Sequence, residues 1–225
     1  MGEALADVLP IAVGIVVVPL PIAATIMLLF SPQATSNGVA FLAGWVLGLT
    51  AVGAVTLLVA DGGNVAEGGS PARWASALKL LLGMGLVFLA YRSFEKRPGA
   101  GAKPPKPDWM TALASFAPAK SFGLGLLLSA ANPKNVLLTT GAMTGVALLG
   151  LPGVQAAVVL VVFVAVCSLG VATPILYALA GGQKARDTLI SWENWLVANN
   201  AVVAAVVLLV LGVWIIGGSL AELIG

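Results

Sequence analysis

Inside one long apolar stretch the chain sets Ser129, Asn132, Pro133, Lys134 and Asn135 almost side by side. Proline at 133 has no N–H and clashes with the preceding turn, so a helix running through it frees carbonyls that neighbours, water or ligand must satisfy. Asn132 and Asn135 supply donors and acceptors, and Lys134 supplies positive charge. A half-helix starting after the break adds the positive end of its dipole. Together these groups suit an anionic group. A lysine in hydrocarbon costs about 3 kcal/mol or more, so protein or water normally surrounds it. The plainer reading is a lysine that snorkels to a headgroup region and a proline that only kinks. A second interruption, Pro19-Leu20-Pro21, lies 133 minus 21, or 112, positions earlier, and Thr25 follows it by one turn. Thr25, Thr139 and Thr140 either bond their own helix backbone or face a cavity.

The elements that hold these residues follow from composition. Of 225 residues 60% are hydrophobic and 9% charged, with mean hydropathy +1.05, which places the chain among integral membrane proteins. Six apolar spans can be counted, over residues 8–30, 39–60, 74–91, 121–150, 154–180 and 200–220. Each reaches the ~18 residues a crossing helix needs, and none alternates as a membrane strand would. An all-α bundle of one domain is expected. From Lys120 to Lys134 is 14 steps, about 21 Å of helix rise, which sets Lys134 well inside a hydrocarbon layer of ~30 Å.

The opening residues carry Glu3 and Asp7 and no basic residue, unlike a cleaved secretory leader, so the first span is expected to be retained. Arg92, Lys96, Arg97, Lys103, Lys106 and Lys120 fall in the third-to-fourth connection, and Lys184 and Arg186 in the fifth-to-sixth. Arg73 lies on the other side, with Lys79 just inside the third span as an interfacial anchor. The positive-inside rule then puts both termini outside a plasma membrane. Asp61 belongs to an outer turn.

Several functions lose support. Net charge is +2, too small for a nucleic-acid footprint. Cys167 is the single cysteine, so it is read as a packing residue, and a thiol relay is excluded. The chain has no histidine, and no Asp or Glu falls within the six spans, which argues against a transition-metal site, a cofactor or a carboxylate relay. With no nucleophile and base pair, an enzyme is not expected.

Residues 97–107, rich in Pro, Gly and Lys, read as an extended linker. Asp108 can cap a short interfacial helix carrying Trp109, Leu113 and Phe116 on one face. A second such segment runs from Gln183 to Leu196, where Leu189, Trp192 and Leu196 share a face and Lys184, Arg186 and Asp187 stay polar. These surfaces either meet anionic headgroups or anchor loops. Pro174 in the fifth span serves gating or static packing. Gly44-x-x-x-Gly48 and Gly141-x-x-x-Gly145 permit close helix contact, within the chain or between two copies. The paired breaks, with the shared Leu82-Gly83 and Leu211-Gly212, suggest two inverted three-helix repeats, a transporter plan with its site near the midplane. Repeat one would cover about residues 4–95, the linker and interfacial helix 96–118, and repeat two 119–225.

Pro19-Leu20-Pro21-Ile22, Phe41 to Gly48, Pro107-Asp108-Trp109-Met110 and Asn132 to Leu138 resemble the glycolipid-addressing proteins of mycobacteria and related actinobacteria. That family includes the sulfolipid-addressing protein and belongs to the lysine exporter superfamily. The resemblance runs from about Leu9 to Gly217 and is most specific at Asn132-Pro133-Lys134-Asn135. It implies six helices in two inverted repeats, with first and fourth helices broken, often as a homodimer, and movement of envelope lipids or glycolipids out of the cytoplasmic leaflet. By the same comparison Asn132, Pro133, Lys134 and Asn135 match the fourth-helix motif, and Pro19 and Pro21 its first-helix counterpart. Many superfamily members carry asparagine in the first motif, where this chain has Leu20 between prolines. An apolar half-site facing a cationic one suits an amphiphile with an anionic head. The expectation is therefore a lipid transporter or flippase. The alternatives are a secondary exporter of an amino acid or cation, and a noncatalytic scaffold that recruits envelope-lipid biosynthesis enzymes.

Overall fold

The computed structural model describes residues 1–62, 73–97 and 112–224, all of it helix, turn and loop with no strand. The helices are α1 (Gly2–Val16), α2 (Pro19–Leu28), α3 (Ala34–Gly62), α4 (Arg73–Glu95), α5 (Pro118–Ala130), α6 (Pro133–Leu148) and α7 (Gly153–Ile224), with a 3₁₀ turn at Leu113–Ser115 before α5. The linker at 98–107, the Asp108-Trp109-Met110 element and the side chains of Asp61 and Arg73 lie outside the described residues.

Prolines set the two breaks. Pro19 and Pro133 each occupy a first helical position, where a missing N–H does no harm, so each starts a helix rather than sitting inside one. The first expected span is thereby divided into α1 and α2, bent by 52°. The fourth is divided into α5 and α6, of 13 and 16 residues, each too short to cross a bilayer alone. Among the described residues four helices are long and apolar enough to cross a membrane, or five if the bent α1–α2 pair is one span. This is a multi-pass membrane protein.

Where the sequence suggested a connection near residue 183, α7 runs on as helix for 72 residues, but it doubles back. Tyr177 and Trp192 would lie about 22 Å apart in a straight helix. Their ring centroids are 5.4 Å apart. Likewise Gly170 meets the Val16 carbonyl while Leu211 meets Gly14, two residues away. The apolar stretches Gly153–Gly181 and Lys184–Ala221 therefore form two arms that return along each other. Pro174 sits buried inside the first arm without ending it.

The order of contacts gives direction. Gly38 meets Ile175 and Gly53 meets Leu160, so α3 is antiparallel to the first arm. Gly44 meets Phe122 and Gly48 meets Ser129, so α3 runs parallel to α5. Leu137 lies at Gly85 and Lys79 at Gly145, so α4 and α6 are antiparallel. Gly83 and Gly212 cross reciprocally: a Cβ on either would meet the other's carbonyl oxygen, and would also meet the side chain four residues beyond the other. The shared Leu-Gly steps noticed in the sequence are thus the crossing point of α4 with the second arm.

Chain direction carries on through the two breaks and reverses at the other connections, and this collects the end of α2, the end of α4, the start of α5 and the α7 turn at one end of the bundle. Arg92, Arg97, Lys120 and Arg186 all lie there, each over a phenylalanine ring, at Phe88, Phe94, Phe116 and Phe30 respectively. Such cation–π pairs in an aromatic belt are the usual chemistry of a membrane boundary. This is the basic end. Leu113, expected on an interfacial helix, is instead fully buried in the core.

Gly44 and Gly48 are not available to join two copies by this face. Both are buried, and a Cβ at Gly44 would strike the Phe122 carbonyl while one at Gly48 would strike the Ser129 side chain. Backbone approach between α3 and α5 uses them up.

Candidate functional site

The second break is built from local hydrogen bonding. Pro133 has no N–H to give the Ser129 carbonyl, and the Lys134 amide turns to the Asn132 Oδ1 at 3.1 Å, so Asn132 caps α6. Ser129 and Ala130 thus lose their usual helical donors. Asn135 reaches back across the gap, its Nδ2 donating to the Leu128 carbonyl at 2.8 Å. Its Oδ1 has no partner although Asn135 is fully buried. One turn on, the Thr139 hydroxyl is also buried and unpartnered. Positions 135 and 139 share a helix face, so the start of α6 carries two unsatisfied polar groups towards the core.

Lys134 is half-buried. The one charge acting on it among the described residues is Lys96 at the end of α4, which repels it. Among the described residues no carboxylate offsets it. Pro133 is exposed and Asn132 half-buried, so the proline shapes the break while Asn132, Lys134 and Asn135 supply its polar groups.

The first break lacks such groups. Val18 caps α2 with no side-chain bond, and Pro19 and Pro21 are both buried. Pro21 has no N–H for the Val17 carbonyl, and the Val16 carbonyl lies 2.5 Å from where a Cβ on Gly170 would stand. The Thr25 hydroxyl bonds back to the Pro21 carbonyl at 2.9 Å and is fully buried, so of the two options open to Thr25 it takes the helix backbone. α1 packs against α6, which brings the apolar break and the polar break into one core.

Other polar residues gain a place here. Lys79 extends its stem along the α4–α6 seam, its Cε 3.8 Å from where a Cβ on Gly145 would be. Asn37 is buried and ties α3 to its neighbours, donating to Ser31 Oγ at 2.7 Å and to the Phe116 carbonyl at 2.8 Å. The Trp45 indole N–H is buried without an acceptor. Glu193 is 6% exposed, on the face of α7 shared by Leu189 and Leu196. The sequence reading passed over Asn37 and Glu193, and held Trp45 only within the Phe41 to Gly48 motif. The spacing of Glu193, four residues after Leu189, was the available signal. Among the described residues no group of three metal-ligating side chains occurs.

A shallow cleft of about 280 Å³ opens beside the first break, between Ile22, Gly170, Pro174, Trp192, Trp195 and Leu196. A second of about 200 Å³, lined in part by Phe30, Thr35, Ile175, Arg186 and Leu189, lies at the basic end.

A family model described as Sap, sulfolipid-1-addressing protein, matches residues 8–221, and the chain belongs to that family. No curated protein and no solved structure matches it.

Proposed function

On the premise of that membership, we propose that the protein is a transporter or flippase that moves an anionic envelope lipid or glycolipid from the cytoplasmic leaflet outward across the plasma membrane. The observation that carries the reading is the α5–α6 break. There Lys134, opposed by no carboxylate among the described residues, stands one residue from a buried amide whose oxygen lacks a donor. An unsatisfied buried polar group costs about 1–3 kcal/mol, and charge in hydrocarbon costs more. A passing sulfate or phosphate head with its water would relieve both. In this reading Asn132, Lys134 and Asn135 contact the head, Pro19, Pro21 and Pro133 hold the breaks open, and Thr25 closes the α2 backbone. The lipid tails stay in bilayer or in a lateral groove.

The architecture proposed with this function counts α1–α2 and α5–α6 as one broken span each, giving six crossings. Residues 4–95 and 119–225 are then inverted repeats. The reciprocal crossing of Gly83 and Gly212 supports this, because a pseudo-twofold axis through that point exchanges α4 with the second arm of α7. The basic end is cytoplasmic, with both termini outside. The protein acts without a cofactor. A homodimer, if formed, uses a face other than Gly44 and Gly48.

The test is translocation of a fluorescent anionic lipid in reconstituted vesicles. Lys134→Ala should abolish translocation in a folded protein, and Lys134→Arg should keep part of it, since charge survives while donor geometry changes. Lys134→Glu should be worse than Ala, because it repels the head. Lys79→Ala should retain translocation. Normal flux through stable Lys134→Ala protein would sink the assignment.

A further inference from the structure

The two clefts follow one another along the arms of α7 as a groove in two parts. Pro174 of the first arm lines one and Ile175 the other, and along the second arm Arg186 and Leu189 line one while Trp192, Trp195 and Leu196 line the other. From Arg186 to Leu196 is ten residues, about 15 Å of helix, which is half of a ~30 Å hydrocarbon layer. The groove therefore begins at the basic boundary and runs one leaflet deep. Its two ends differ in chemistry. At the boundary the Arg186 guanidinium sits over Phe30, 5.1 Å from the ring centroid, with Thr35 in the same wall. At depth the lining is apolar and aromatic, with Thr173 the one hydroxyl. The inner end abuts the α1–α2 break, because Gly170 both lines the cleft and touches the Val16 carbonyl.

We propose that the two clefts together form a lateral docking site for an anionic lipid of the leaflet at the basic end, its head on Arg186 and one acyl chain along Pro174 and Trp195. Charge complementarity selects the occupant. A free anion would use Arg186 and leave the apolar depth empty, and a neutral lipid would fill the depth without using Arg186. The two clefts, about 280 and 200 Å³, together reach the lower range of small-molecule sites, enough for a head and part of one chain. As the loading step of transport, the site rests on the function proposed above; as a binding site it is read without any flux.

Trp192 and Trp195 line the groove and report on it. The full chain is placed in nanodiscs of phosphatidylcholine containing increasing fractions of brominated phosphatidylglycerol or brominated phosphatidylcholine. The share of fluorescence lost in Trp195→Phe gives the groove signal. The expected result is about a fivefold lower half-quenching fraction for the anionic lipid, the preference one basic residue gives near an anionic surface. R186Q should remove that preference and R186K should keep it. Thr173→Leu, which fills the cleft, should weaken quenching by both lipids. Equal quenching by the two lipids in the unmodified protein would overturn the proposal, as would a preference that survives R186Q or quenching untouched by Thr173→Leu. Those results would leave the Lys134 reading standing. A preserved preference beside normal Lys134→Ala flux would remove that reading and keep the groove.

Discussion

Replacing Gly83 and Gly212 by alanine, singly and together, tests the crossing on which the repeat architecture depends. A Cβ at Gly83 would stand 2.8 Å from Ile216 Cγ1, 3.1 Å from the Gly212 oxygen and 3.2 Å from the Ile216 amide. A Cβ at Gly212 would stand 2.8 Å from Val87 Cγ2, 3.0 Å from the Gly83 oxygen and 3.1 Å from the Val87 amide. Carbon contacts are best at about 3.5–4.0 Å, so in either variant the helices must separate by roughly 0.5 Å, a gap that forfeits about a quarter of each dispersion contact along the seam. Overpacking of this kind costs about 1–3 kcal/mol. Helix propensity returns ~1 kcal/mol for Gly→Ala, leaving a net loss of roughly 0–2 kcal/mol. Because the environments match almost atom for atom, the two single losses should agree within about 0.5 kcal/mol, the usual scatter of independent sites. One separation accommodates both methyl groups. The double variant should therefore lose less than the sum, with a coupling of about 0.5–2 kcal/mol. Reversible unfolding in mixed micelles measures all three. Additive losses, or singles that differ in sign, would show that Gly83 and Gly212 do not share one crossing.

Further outcomes follow from the same geometry. Gly44→Ala and Gly125→Ala would press on the Phe122 and Phe41 carbonyls, which are backbone and cannot swing aside, so each should lose about 2–3 kcal/mol. Gly123→Ala, with nothing within 4 Å, should be neutral or gain up to ~1 kcal/mol in the same unfolding assay. Asn132→Asp keeps an acceptor for the Lys134 amide and should hold stability within about 0.5 kcal/mol, the small difference between these two caps. The same change should cut anionic-lipid translocation, since a carboxylate beside Lys134 cancels its charge. Equal translocation by Asn132→Asp would separate the cap from the head contact. Cysteines placed at Lys103 and Arg73 should label from inside and outside respectively in intact cells, and external labelling of position 103 alone would reverse the proposed orientation.

What the sequence disclosed depended on how local the chemistry was. The breaks at Pro19 and Pro133 were legible because a missing N–H acts wherever proline sits, whatever packs around it. Asn132 was read only as a donor and acceptor at the break, and its capping of α6 emerges from the Lys134 amide turning to its Oδ1. The use of Gly44 and Gly48 was not legible, since close approach within the chain and between copies asks for the same small residues, and only the position of the Phe122 carbonyl decides. The two glycines and a glutamine at 181–183 that read as a connection fall where the chain turns back between the arms of α7, as the Tyr177–Trp192 stack records. The burial of Leu113 was not legible. An amphipathic segment beside a basic linker reads as interfacial until a core is seen to accept its leucine.

The two breaks are unequal, and that inequality constrains the cargo more than either break alone. At the second, Asn132, Lys134 and Asn135 supply polar and cationic side chains, and Asn135 retains an unsatisfied acceptor after bridging to Leu128. At the first, the cap is valine, the helix starts with buried prolines, and the one nearby hydroxyl is consumed by its own backbone. A small polar solute crossing this core would be held on one side and faced with apolar side chains on the other, without the second set of hydrogen bonds that specificity for such a solute requires. An amphiphile faces no such mismatch. In the proposed function its anionic head would engage Lys134 while its chain passed the valine and proline wall, and the proposed groove, which ends beside that wall at Gly170 and Ile22, would deliver the chain to the apolar side. The pairing of one apolar and one cationic break in a single core is therefore what a two-faced cargo needs.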